Sequence, residues 1–299
     1  MRRLSPVATA ATDPGPVELR ARNVEFEWSG TPLHWLPGHP YASHVVTALN
    51  LLLPEGERWF VRTFNEALPL VADERLAATM RGFIGQEAVH AKSHDKVLWT
   101  FIDAHGIDPR PYQLQMEWVF RRILGPSRSG SARAQCKHLV ERLWLIAAIE
   151  HYTAELGDFA LNCSWASLGG DPEMVDLFCW HAAEEVEHRA VAYDVANYFG
   201  NSYLARARTM LLVLSAMLWL LFRGAKDIAR QDPAIRRLGF IGRRREYNRG
   251  VRANVLPSLL GLTWSTVKYF RPGFHPDEVG STAQAVAYLA SSPAARRAG

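Results

Sequence analysis

Two copies of one spacing, Glu87-Ala-Val-His90 and Glu185-Val-Glu-His188, constrain this chain more than any other feature. Three residues are close to one helical turn, so each Glu and its His share a helix face about 5 Å apart. Both pairs lie in long stretches with helical rather than alternating apolar periodicity, and the chain reads as all-α. Two such pairs, completed by one Glu from each of two further helices, are what the core of a four-helix bundle uses to hold two metal ions.

Start and stop signals set the expected helices. Pro54, followed by Glu55 and Glu57, predicts a helix over about 54–68, and residues 21–53 read as irregular. Asp73 is placed to cap a second helix reaching about 104. Further helices are expected near 111–124, over 131–163, and from Pro172 to about Phe199. Residues 1–20 read as a flexible lead-in, 21–275 as one helical di-metal domain and 276–299 as a tail of little information.

In an antiparallel hairpin, residues equally far from the turn meet at one height. Glu57 and Glu87 average to position 72, within the turn at Pro69–Asp73. Glu150 and Glu185 average to 167.5, within the turn at Ser164–Pro172. Each carboxylate would then stand roughly 22–26 Å from its turn, and the two hairpins could bring all of them to one level. Glu66 lies too near its turn to compete with Glu57, and Glu155 would sit roughly 8 Å from the level of Glu150.

The candidate ligands are therefore Glu57, Glu87, His90, Glu150, Glu185 and His188. His181 and Glu184 share the stripe of Glu185 and His188, so His181 is a seventh candidate, while Glu184 and His94 are expected as outer partners of the ligands. Glu187 reads as a carboxylate whose loss does little, and His151 as structural. Four carboxylates neutralise two divalent cations, whereas without metal their burial is costly. Carboxylate with imidazole suits two iron ions, with manganese or zinc as alternatives.

The formal charge of +4 is concentrated in Arg236, Arg237, Arg243, Arg244, Arg245, Arg249 and Arg252. No aromatic–basic interleaving accompanies them, so no nucleic-acid partner is expected. A solvated face, or anionic lipid headgroups, fits them better. The apolar run Met210–Phe222, in a helix near 203–230, is shorter than the ~20 residues of a bilayer span. It reads first as a buried packing helix, with a helix lying in a membrane interface as the alternative. Cys136, Cys163 and Cys179, an odd number in apolar helical contexts, read as small core residues of a cytoplasmic protein. Membrane association and a homodimer are compatible with this assignment.

The order Glu, ExxH, Glu, ExxH resembles that of ferritin-like di-iron carboxylate proteins. The stretches GERWF, GQEAVHAKSHD, IEHYTAELGDFAL and WHAAEEVEHRAVAYDV also resemble a bacterial family described as predicted metal-dependent hydrolases, over roughly residues 40–275. His181-xxx-Glu185-xx-His188 is similar to the arrangement in p-aminobenzoate N-oxygenase-type enzymes. That resemblance implies a di-iron centre on Glu57, Glu87, His90, Glu150, His181, Glu185 and His188 that reacts with dioxygen. The leading expectation is an oxygenase or oxidase of a small apolar or aromatic substrate, needing an electron donor. A two-metal hydrolase using a bridging hydroxide is the alternative, and ferritin-like iron handling a third. Phe83, Trp144, Phe159, Trp180 and Tyr193 are the aromatic side chains expected near the substrate.

Overall fold

A computed structural model describes residues 17–298 except Arg128, and it contains helices and no strand among them. The helices are α1 (Pro40–Thr47), α2 (Leu49–Ala67), α3 (Glu74–Val97), α4 (Arg110–Trp118), α5 (Ala132–Asn162) and α6 (Pro172–His188). They continue as α7 (Val191–Phe199), α8 (Tyr203–Gln231), α9 (Phe240–Arg252), α10 (Leu259–Tyr269), α11 (Thr282–Ser291) and α12 (Pro293–Ala298). The expected lead-in lies outside the described residues as far as residue 16.

Caps fix the two hairpins that matter. Asp73 accepts from the backbone N–H of Arg75 and Leu76 and starts α3. Asp171 accepts from Met174 N–H, and Pro172 opens α6 with no N–H to leave orphaned. Consequently α2 pairs with α3 and α5 with α6, while contacts of α2 with α5 and of α3 with α6 close a ring of four helices. The ring helices bury the large apolar side chains Trp59, Phe64, Phe83, Trp144 and Trp180.

Three boundaries depart from the sequence expectation. Residues 21–39 are irregular as expected, but from Pro40 the chain is helical: α1 and the first turn of α2 bury Tyr41, Val45, Val46 and Leu51. Pro54 sits inside α2, close enough to its start that its missing N–H deprives only the Asn50 carbonyl. The expected helix 172–199 breaks at Arg189, whose guanidinium takes the Val186 carbonyl that the N–H of Ala190 would otherwise use. The segment read as a tail forms α11 and α12, which dock on α6 where Asp176 accepts from Tyr288 Oη at 3.0 Å and Ala294 N–H at 2.9 Å. Cys179 is buried, but Cys136 is exposed rather than a core residue.

α5 and α6 approach closely at Gly157, where a Cβ would lie 2.8 Å from the Ala182 carbonyl oxygen. Gly157→Ala is expected to lower stability by about 1–3 kcal/mol, because backbone rather than a flexible side chain must yield. Chemical denaturation of the two proteins measures this directly.

Candidate metal centre

Each of the seven predicted ligands reaches the middle of the helix ring, and each is at most 5% exposed. Glu57 comes from α2, Glu87 and His90 from α3, Glu150 from α5, and His181, Glu185 and His188 from α6. Their donor atoms form two overlapping groups. In one, Glu87, Glu150, Glu185 and His188 converge, with His188 Nε2 at 3.2 Å from Glu87 Oε1, 3.1 Å from Glu150 Oε2 and 3.4 Å from Glu185 Oε2. The other centres on His90 and joins two sets of three, Glu57–Glu87–His90 and His90–His181–Glu185, with His90 Nδ1 at 3.6 Å from Glu87 Oε1 and 3.5 Å from Glu185 Oε1. Glu87 and Glu185 belong to both groups.

His94 stands closer than the sequence suggested. Its Nδ1–H donates to Asn50 Oδ1 at 2.7 Å, and its Nε2 meets His181 Nδ1. Glu57, His94 and His181 form a further cluster of donors within reach of one ion.

Whether such a set fits metal is decided by its unmet hydrogen bonds. Both oxygens of Glu57, Glu87 and Glu150, together with Glu185 Oε2, His90 Nδ1 and His188 Nε2, are buried without any hydrogen-bond partner. Buried carboxylates and imidazoles are ordinarily satisfied, and a concentration of orphans this dense is a strong sign of an ion. The spacings agree: donors about 2.1 Å from one ion stand roughly 3.0–3.4 Å apart at octahedral to tetrahedral angles. The residues present fit a pair of metal ions.

An outer network orients the imidazoles. His90 Nε2–H donates to Glu184 Oε2 at 2.8 Å, which leaves the Nδ1 lone pair facing the carboxylates. His188 Nδ1–H donates to Gln86 Oε1 at 3.1 Å and leaves Nε2 facing inward in the same way. Gln86 Nε2 in turn donates to Glu187 at 3.1 Å. Arg22 joins the two branches, donating to Glu184 at 2.6 Å and to Glu187 at 3.0 and 3.1 Å. It arrives on the segment before α1, which lies so close to α3 that a Cβ on Gly82 would be 2.8 Å from the Leu19 carbonyl oxygen.

Sequence reasoning missed Arg22, Gln86 and Asn50, and took Glu187 for a dispensable carboxylate. The available signal was Gly82-x-x-Gly85, a smooth strip on α3 that admits a second backbone. With its side chain buried in this network, Glu187→Ala is expected to weaken metal binding by about 10–100-fold. Competition with a chromophoric chelator measures that change.

Without metal the centre is electrostatically strained. Burial, reinforced by Glu87, pushes the Glu57 carboxyl well above the usual range. Burial and the neighbouring Glu185 push Glu150 up to about 8. Burial works against a charge on His90, yet the hydrogen bond to Glu184 and the nearby Glu87 carboxylate outweigh it and hold the ring well above its ordinary value. For His188 the burial penalty is likewise overcome by Glu185 and Glu150. Burial, with His181 and His90 alongside, holds His94 well below the ordinary range and therefore neutral.

An apolar cavity of about 100 Å³ reaches the centre at His181 and Glu185. Its wall is apolar, mixing aliphatic side chains such as Leu49, Leu156 and Met217 with the aromatic rings of Trp165, Phe178 and Phe222. A second apolar opening between α2, α5 and α8 reaches Glu57 and Glu185. Of the five aromatic residues expected near the substrate, Phe159 lines the first cavity. Phe83 and Trp180 instead pack edge-on against His188 and His90. Trp144 and Tyr193 are buried against each other with their polar atoms on the Gly200 and Phe274 carbonyls.

An all-helical protein with buried Glu and His clusters able to hold metal is what fold and site define. The profile of a family described as "Predicted metal-dependent hydrolase" matches residues 20–280, and the chain belongs to that family. Searches of curated proteins and of solved structures gave no match.

Proposed function

We propose that the chain is a dinuclear metal enzyme that oxidises an apolar substrate with dioxygen, and that the metals are iron. The observation that carries the dinuclear reading is the set of buried, unpartnered Glu and His atoms from four helices. Glu57, Glu87, His90, Glu150, His181, Glu185 and His188 would hold the ions, with His94 adjacent. When bound, the metals would supply redox chemistry with dioxygen, fed by an external electron donor.

The chain's own residues do the rest. Glu184 and Gln86 hold His90 and His188 in the tautomers that aim lone pairs inward. The leucine-rich wall excludes water and takes up an apolar substrate. Thr153, one turn from Glu150, lines both openings, and its hydroxyl donates to the Glu150 carbonyl at 3.1 Å.

The choice of oxidation rests on the cavity's charge. Neither opening is lined by Lys or Arg, so an anionic substrate or hydrolysis product would meet positive charge at the metals alone and none along its path. Dioxygen and an apolar substrate need no such charge. Hydrolysis by a metal-bridging hydroxide is nevertheless the second reading, because the family's description names it. Protein loaded anaerobically with ferrous ion separates the two. Oxygen uptake stimulated by a fatty or aromatic probe is the result expected. Turnover of an ester probe without oxygen, retained with zinc or manganese, would transfer the assignment to the hydrolase.

A further inference from the structure

The helix α8 carries two faces. Its inner stripe, including Met210, Val213, Leu220 and Ile228, is buried, and the helix packs on α1, α2 and α5. Its outer stripe leaves Leu211 and Leu212 more than half exposed and Trp219 57% exposed. The first expectation, a helix buried all round, therefore fails for that side. Phe240 at the start of α9 and Leu260 on α10 are 73% and 81% exposed, and with Trp219 they line one open groove. Isolated exposed apolar residues are ordinary, but a contiguous set on three helices marks a contact surface.

Charge identifies the occupant. Arg223, Lys226, Arg243 and Arg244 line the same groove, and no acidic side chain does. Arg223 lies over the Trp219 ring at 5.6 Å, so an amphipathic aromatic and a cation stand side by side. Apolar anchors ringed by cations are the pattern of a surface that lies on an anionic bilayer. A second copy of the chain fits less well. In a two-fold contact through this face, the four cations would approach their own images without carboxylates to offset them. α8 is long and apolar enough to cross a bilayer, but its inner stripe packs on α1, α2 and α5, which favours a helix lying on the membrane over one crossing it.

The face has an opening. Leu218, Phe222, Tyr247 and Leu259 line both this groove and the apolar cavity that ends at His181 and Glu185. We propose that the α8–α9–α10 face docks on an anionic lipid bilayer and that an acyl chain of a bilayer lipid enters the cavity from there. The second half deepens the enzymatic reading given above and rests on it, whereas docking does not.

The test uses the full chain with vesicles of phosphatidylglycerol mixed into phosphatidylcholine, and with vesicles of phosphatidylcholine alone. Co-sedimentation is expected with the anionic vesicles, metal-loaded or chelated, and is expected to weaken as salt is raised. The double variant Trp219→Glu, Leu260→Glu and the double variant Arg243→Glu, Arg244→Glu should each lose about tenfold or more in partitioning. Both should keep the wild-type metal content, which shows that they fold. Absence of sedimentation with either vesicle would overturn docking, as would a dimer in a sizing column that Trp219→Glu disperses. A photoreactive group at the end of the phosphatidylglycerol acyl chain tests entry. Labelling of Met217 or Leu156 supports it, and labelling confined to surface residues such as Leu260 overturns it. If metal analysis fails while sedimentation succeeds, the enzymatic reading falls and the docking face stands.

Discussion

Replacing Glu87 by alanine is expected to empty the centre of both metals, whereas replacing Glu150 is expected to leave one. Glu87 stands in both donor groups, with Oε1 3.2 Å from His188 Nε2 and 3.6 Å from His90 Nδ1. Glu150 is found only with Glu87, Glu185 and His188. Removing Glu87 therefore takes a charge from both ions at once and leaves the remaining carboxylates less able to hold either. Losing an outer partner of a ligand costs about 10–100-fold in affinity, so a carboxylate shared by two ions should cost more than about 10²-fold. Turnover should fall on the order of 10³-fold, equivalent to about 4 kcal/mol of barrier. Elemental analysis after dialysis reads the result as close to zero metal per chain for Glu87→Ala and close to one for Glu150→Ala. Equal stoichiometries in the two variants would break the shared-ligand arrangement.

That the clustered Glu and His residues could be read from the sequence at all is a consequence of helical arithmetic. An ExxH pair fixes its own geometry locally, and equal distance from a turn fixes which Glu faces it across a hairpin. Both relations survive errors in helix ends, which is why Glu57 was found although α2 begins five residues before Pro54. Relations between elements far apart in sequence had no such guide. Arg22 reaches Glu184 and Glu187 across more than 160 residues of chain, and nothing at either position announces the other. Asn50 fell in a segment taken to be irregular, so its hydrogen bond to His94 could not be anticipated. The two faces of α8 were hidden for a different reason. Its stripe of Leu and Trp is nearly continuous around the helix, and hydropathy alone does not tell a side that packs from a side that is open.

Raising the pH from 7 to 8 is expected to widen the gap in thermal stability between metal-loaded and metal-free protein. In the metal-free fold, Glu150 holds its proton up to about 8 and Glu57 is also raised well above its ordinary value, chiefly through burial in both cases. A group whose folded pKa is raised contributes stability that is complete below its unfolded pKa and is lost as pH climbs toward the folded value. His90 and His188, raised by their carboxylate partners against the burial penalty, lose their contribution in the same direction from about pH 6.5 upward. The opposite contributions act lower. Glu185, which burial would raise but His188 and His181 hold well below its ordinary value, titrates under acid conditions. His94 and His181, lowered chiefly by burial, affect stability only as pH falls below about 6.5. Across pH 7–8 the raised groups Glu57, Glu150, His90 and His188 thus destabilise the metal-free protein as protons leave, and the lowered groups do not oppose them. Metal reverses this, because the ions replace those protons and bind more tightly as fewer remain to be displaced. Thermal melts with and without chelator at the two pH values measure the gap. A gap that stays constant or narrows would mean that metal does not take the place of the protons on Glu57 and Glu150.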